Sequence, residues 1–233
     1  MAREFTPTTG LAELDAVLCG VQRGDNIVWQ IESLDEYLAL VRPYAEAARS
    51  SERRLIYFRF ADHPPLLREV ETHCPDAAAG FEAFVDQVHS VIESAGRETF
   101  YVFDCLSCLA DVWQSDRMMG NFFRLTCPRL YDLDTVTYFG VYRNRHAKSA
   151  TGVIAYTTQF MIDVFHCRGR LYLRPLKVQH RSAAAMNLIH AWESEGRVRP
   201  VRDSGTVAEI LANSQWPGLE DNQIPSHWQR QFA

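Results

Sequence analysis

Residues 20–40, GVQRGDNIVWQIESLDEYLAL, decide the fold, because they read as a buried strand that runs directly into a helix. Residues 26–31 supply the strand, and Gly24 with Asp25 gives the turn that enters it. Leu34, Tyr37, Leu38 and Val41 then recur at helical spacing, which predicts a helix beginning near Ser33.

Many nucleotide-binding α/β proteins place a glycine-rich loop at such a junction, where backbone N–H groups at a helix N-terminus cradle phosphate. Here the junction reads Glu32, Ser33, Leu34, Asp35, Glu36. It holds neither glycine nor lysine, and three carboxylates stand where a triphosphate would sit. Coulomb repulsion between like charges opposes phosphate there even when screened. The position of a phosphate site is present with its chemistry removed, and Asp35 and Glu36 are expected on a solvated helix face.

Working outward, Thr9 is expected to cap a short helix carrying Leu11, Leu14, Val17 and Leu18, closed by Gly20. Residues 54–60 (RLIYFRF) predict a second strand, whose continuous apolar character suits a parallel sheet covered on both faces. Asp62 and His63 follow at the carboxyl edge, the usual place for ligand crevices in doubly wound folds. A helix is expected over 65–73, and residues 80–94 read as either helix or strand.

The stretch 99–106 (TFYVFDCL) predicts the central strand, ending in Asp104. An aspartate there holds Mg²⁺ in nucleotide hydrolases; the competing expectation is that Asp104 caps the following turn or bonds its backbone. A helix is expected over 111–130, a strand over 135–142, and a polar basic loop over 142–149. A short helix over 154–162 leads to a strand over 162–167, and 170–178 (RLYLRPLKV) pairs back as a hairpin in which Pro175 marks an edge or an end of pairing. Residues 181–192 read as an alanine-rich helix, 196–203 as a charged linker and 206–214 as a last helix. In the tail, Trp216, Trp228 and Phe232 stand out from a polar background as anchors for docking in cis or on a partner.

At 233 residues with 47% apolar content, the chain can bury one sizeable core. A net charge of −5 argues against a mainly electrostatic nucleic-acid binder. No apolar run approaches the roughly 20 residues that span a bilayer, and MAREFTPTTG lacks a secretory apolar core, so a cytoplasmic location is expected. Six scattered cysteines suit reduced, buried thiols. Cys105 and Cys108 have the spacing of a metal or redox pair but lack a second pair, and the eight histidines show no ligand grouping, so no metal is expected. The sequence presents no nucleophile elbow.

The ordered set TTGLAELDAVLCGVQRGDNIVWQI (8–31), RLIYFRFADHPPLL (54–67), TFYVFDCLS (99–107), TVTYFGVYRNRH (135–146) and KVQHR (177–181) resembles the RecA-like ATPase core of the KaiC type. Thr9, Gly10, Leu14, Asp15, Leu18 and Gly20 match that family's opening motif, and Asp104 its Walker B position. The resemblance implies an α/β fold of three layers: a mostly parallel sheet, helices on both faces and a C-terminal antiparallel hairpin. It implies a domain over 1–195, leaving 196–233 as linker, helix and tail. It also implies a homo-oligomer in which a late basic pair, here Lys177 and Arg181, faces a neighbour's nucleotide, and Arg143 and Arg145 are further basic residues expected at such an intersubunit contact. Walker A is absent, the family's acidic pair is reduced to Asp62 beside His63, and Lys177 and Arg181 are spaced more widely than the family pattern.

The wording of 24–37 and 57–67 is also similar to a degenerate KaiC-like region of some PEP synthase or pyruvate phosphate dikinase-like proteins. The expectation is a non-catalytic pseudo-ATPase without cofactor, in which Glu32, Ser33, Asp62, His63 and Asp104 mark a vestigial nucleotide crevice and the chain works by association. The alternatives are an ATPase with a non-standard phosphate site and a metabolite sensor tied to PEP synthase-like phosphotransfer.

Overall fold

The computed structural model describes residues 6–182, 184–193 and 196–213. It opens with α1 (Ala12–Val17), β1 (Asn26–Ile31) and α2 (Leu34–Ser50). Then come β2 (Leu55–Phe58), β3 (Glu71–His73), a short 3-10 turn (Ala77–Ala79), α3 (Phe81–Ala95) and β4 (Phe100–Phe103). α4 (Ser107–Trp113), α5 (Asp116–Asp132), β5 (Val136–Tyr142) and α6 (Lys148–Thr157) follow. The chain closes with β6 (Phe160–Cys167), β7 (Arg170–Val178), β8 (His190–Trp192), β9 (Val198–Pro200) and α7 (Ser204–Asn213).

All nine strands join one sheet in the order β3-β2-β4-β5-β1-β6-β7-β8-β9. Pairings from β3 through β6 are parallel, and those from β6 through β9 are antiparallel. The chain is therefore α/β, with a mostly parallel sheet and a C-terminal antiparallel extension. Successive side chains of a strand point to opposite faces, and the core divides accordingly. Ile27, Trp29 and Ile31 pack with α1 and α2, while Val28 packs with α3, α4, α5 and α6. Buried tyrosines lock these layers: Tyr37 donates to the Phe103 carbonyl at 2.9 Å, Tyr44 to that of Val136 at 2.5 Å, and Tyr138 to that of Thr9 at 2.8 Å. Gly140 admits the Tyr37 ring, which an added Cβ would meet at 3.2 Å.

The opening motif has mechanical reasons. Thr8 and Thr9 hydroxyls both donate to Asp15 at 2.6 Å, and Thr9 adds its backbone N–H. Thr9 thus braces α1 from outside, and Leu11 holds the cap position expected for Thr9. Gly10 sits at φ +81°, where an added Cβ would lie 2.4 Å from the Pro43 carbonyl oxygen. Only glycine fits so close to the α2 backbone.

Several expected elements are replaced. Residues 71–73 form no helix; they pair in parallel with β2, and the Arg54–Glu71 ion pair at 2.6 Å helps hold them. Of residues 80–94, all but the cap residue Gly80 are helical. The helix expected over 111–130 is two, because Gln114 turns left-handed and Ser115 then caps α5 by accepting from Met118 N–H. α6 starts earlier than expected and β6 begins at Phe160. The described residues of 181–192 make turns and a strand rather than a helix: Met186 and Ile189 are buried, and β8 pairs with β7 at Tyr172 and Leu173 only. Pairing with β8 thus ends before Pro175. The linker expected over 196–203 contains β9, which extends the same sheet. No helix among the described residues is long and apolar enough to cross a membrane.

Candidate functional site

The crevice residues read from the sequence lie at the carboxyl ends of the parallel strands, in two separate centres. β5 intervenes between β4 and β1, so Asp104 and Glu32 leave the sheet about 10 Å apart at ordinary strand spacing.

At the first centre, the α2 N-terminus is closed by its own residues. Ser33 Oγ accepts from Glu36 N–H at 3.4 Å, while Glu36 Oε2 accepts from the N–H groups of Glu32 at 2.6 Å and Ser33 at 3.4 Å. This reciprocal box satisfies donors that a helix start otherwise leaves open. Glu36, expected in solvent, is buried, and its Oε1 accepts from His166 Nδ1 at 2.6 Å. Arg143 reaches over from the end of β5, pairing through Nη1 with Glu32 at 2.9 Å and through Nε with Asp163 at 3.1 Å. Its guanidinium also lies over the Phe165 ring at 5.2 Å. Burial pushes the Asp163 carboxyl up to about 7; Arg143 and Arg174 oppose the shift, and Glu32 and Glu36 reinforce it.

Ligand atoms of Glu32, Glu36 and His166 lie within 4.8 Å of one another and are the metal-competent group among the described residues. Arg143 already neutralises Glu32, and two amides already occupy Glu36. The arrangement is an internal salt and hydrogen-bond network rather than an open ligand set.

The second centre is built on Asp104, which is fully buried. Tyr57 donates a short hydrogen bond to Oδ1, and Phe60 and Ala61 N–H donate to Oδ2 at 2.9 and 3.0 Å. Burial raises its pKa, against the Tyr57 bond, the His63 ring and those two amides. His63 donates through Nδ1 to the Pro64 carbonyl at 2.7 Å, leaving Nε2 buried, 3.4 Å from Asp104 and without a hydrogen bond. Asp62 points to solvent. Asp104 bonds backbone amides, but they are those of the turn after β2 rather than of the turn that follows Asp104 itself.

A third group escaped the sequence reading. Tyr142 N–H donates to Ser107 Oγ at 2.8 Å, and Ser107 and Asp116 hold the two nitrogens of His146, Nε2 and Nδ1, each at 2.6 Å. Ala147 N–H donates to the other Asp116 oxygen at 2.7 Å, and this bond with the His146 contact holds that carboxyl below the usual range. The connectivity is that of a hydrolase triad. Ser107 is, however, fully buried, and His146 belongs to the loop that covers it, so admitting a substrate would withdraw the base. We read the chain of bonds as a clasp on residues 143–147. His146→Ala is expected to lose about 1–2 kcal/mol of stability, the scale of uncoupled buried hydrogen bonds, measured by urea unfolding, with Ser107 unreactive to a fluorophosphonate before and after.

The basic residues expected to face a neighbour make contacts within the chain. Lys177 Nζ donates to the Ala155, Tyr156 and Thr158 carbonyls at 2.5–2.9 Å, capping the end of α6. Arg181 is buried against Asp25 at 2.6 Å. Both lie at the amino end of β1 and β6, the opposite end of the parallel strands from Asp104. Arg145 is exposed and pairs with Asp111 at 2.8 Å. Burial pushes Cys105 up to about 12 and Cys108 up to about 11, which suits inert thiols. Trp216, Trp228 and Phe232 lie outside the described residues. Comparison of the sequence with protein-family models and with curated proteins returns no match.

Proposed function

We propose that this chain is a RecA/KaiC-like domain that has given up nucleotide chemistry and acts as an interaction, assembly or regulatory module in the cytoplasm. One observation carries the reading: the Glu36 carboxylate rests on the Glu32 and Ser33 amides at the start of α2, where a phosphate would be received in a nucleotide-binding relative. A phosphate entering there would have to expel a buried carboxylate and leave it without its donors, a loss on the scale of several kcal/mol.

Two further features favour the same reading. Arg143, the cation best placed to meet an anion at that end of the sheet, is engaged by Glu32 and Asp163. Asp104 is turned into the protein and bonded on both oxygens. Partners are then a second copy of this chain or a companion protein, and the resemblance to PEP synthase-like proteins makes a phosphotransfer enzyme a reasonable companion.

Isothermal titration with MgATP is the direct check. Millimolar MgATP is expected to give no saturable heat attributable to the α2 N-terminus, and Glu36→Gln to leave that result unchanged. Micromolar binding that disappears on substitution of Asp104 would overturn the reading.

A further inference from the structure

A groove of about 430 Å³ runs along the outer face of α2, opposite residues 65–68. Leu38, Arg42, Ala45, Glu46 and Arg49 recur at one-turn spacing and form one wall; Pro65, Leu66, Leu67 and Arg68 form the other. Ala45, Leu66 and Leu67 are buried and give an apolar floor, whereas Arg42, Arg49 and Arg68 are exposed. Three guanidinium groups therefore line one apolar trough, against a single carboxylate.

Their pairing state differs from that of the arginines just beyond α2. Arg53 and Arg54, just beyond α2, each reach a glutamate within 3.0 Å. Arg42, Arg49 and Arg68 make no ion pair with any described carboxylate, and Glu46, one turn from both α2 arginines, leaves them free. The chain as a whole is acidic, with 29 Asp and Glu against 24 Lys and Arg. A locally cationic trough on an acidic protein attracts anions by its own field rather than by net charge.

We infer that this groove binds a small organic anion, one that carries phosphate or carboxylate on an apolar body. Guanidinium groups on both walls give bidentate recognition of such oxygens. The apolar floor covers the body of the ligand, and the volume lies within the usual range for small-ligand sites. Inorganic phosphate alone would leave the floor uncovered, and a neutral apolar molecule would leave the arginines unmet. Binding also has a route into the core. The Leu66 N–H donates to the Tyr57 hydroxyl at 3.4 Å, and Tyr57 in turn donates to Asp104.

The site is independent of the α2 N-terminus, and the test keeps the two readings apart. The full chain is titrated by calorimetry with 1-naphthyl phosphate, inorganic phosphate and 1-naphthol. Saturable binding of naphthyl phosphate is expected about tenfold tighter than either half, because charge and apolar contact act together. Arg42→Gln and Arg68→Gln are each expected to weaken it about tenfold or more, the scale of one charge-assisted hydrogen bond, with unchanged melting temperature. Failure of naphthyl phosphate to saturate in the millimolar range, or binding by both variants as tight as by the unsubstituted chain, overturns the proposal. MgATP binding that survives both substitutions bears on the α2 N-terminus instead.

Discussion

Alanine in place of Asp104 is expected to remove about 3–5 kcal/mol of folding stability, because it strips a buried acceptor from three donors at once. The buried Tyr57 hydroxyl and the partly buried Phe60 and Ala61 amides would be left without their partner. Each uncompensated group costs about 1–3 kcal/mol, and partial rehydration keeps the sum below the simple total. For a chain of this size, melting should fall by roughly 10 °C. Asp104→Asn keeps one acceptor oxygen and should lose less.

Chemical denaturation of both variants, followed by circular dichroism, gives the values. The outcome separates two roles for this aspartate. A carboxylate kept to hold Mg²⁺ through water would face the crevice and be nearly dispensable for folding. One kept to fix the turn after β2 onto the end of β4 would not. A change below about 0.5 kcal/mol on Asp104→Ala, the range of ordinary surface substitutions, would remove the structural role assigned here.

The parts legible in the sequence were those dictated by local pattern. β4 is a continuous apolar run, and β1 and β5 are predominantly apolar, because both their faces are covered, and such runs stand out without knowledge of their neighbours. The start of α2 was legible from Ser33 and the apolar spacing behind it. The role of Glu36 was also written there, as a Ser33-x-x-Glu36 capping box. Counting Glu36 among charges repelling phosphate placed it in solvent. In the fold the same carboxylate turns inward onto the amides.

The misplaced elements share a different cause. Residues 71–73 fall at the end of the helix expected over 65–73, but the open edge of β2 offers backbone partners that a short exposed helix would lack. β8 and β9 are three residues each and exist because β7 supplies an edge to build on. No periodicity can be read from three residues. The Ser107, Asp116 and His146 clasp joins positions separated by long stretches of chain, so only the packing of α5 against the loop after β5 brings them together. Asp104 was found by position at a strand end, but its partners come from the turn after β2, which the sequence does not place.

Arg181→Ala is expected to lose about 3–5 kcal/mol at neutral pH, as breaking one side of a buried ion pair does. The Arg181 and Asp25 side chains are 5% and 3% exposed, their closest atoms 2.6 Å apart, and the guanidinium also sits 4.6 Å from the Phe160 ring centre. Burial already raises the Asp25 pKa, with the Gln22 amide and Arg181 holding it down. Removing Arg181 releases one of those restraints, so the folded-state pKa moves further above the unfolded value. The folded variant then holds a proton that the unfolded chain has released. Its stability consequently falls as pH rises from the unfolded carboxylate range toward the raised folded value. The deficit against the wild type should therefore shrink on acidification and be smallest near pH 4, where the carboxylate of the unfolded chain is itself half protonated. Adding Asp25→Asn to Arg181→Met should recover much of the loss, because no uncompensated charge remains buried. An arginine kept to face a neighbouring subunit makes the opposite prediction: its loss would weaken self-association, read by light scattering, and leave urea unfolding of the monomer unchanged at every pH. The two outcomes decide whether the basic end of the hairpin serves this chain's own fold or its assembly.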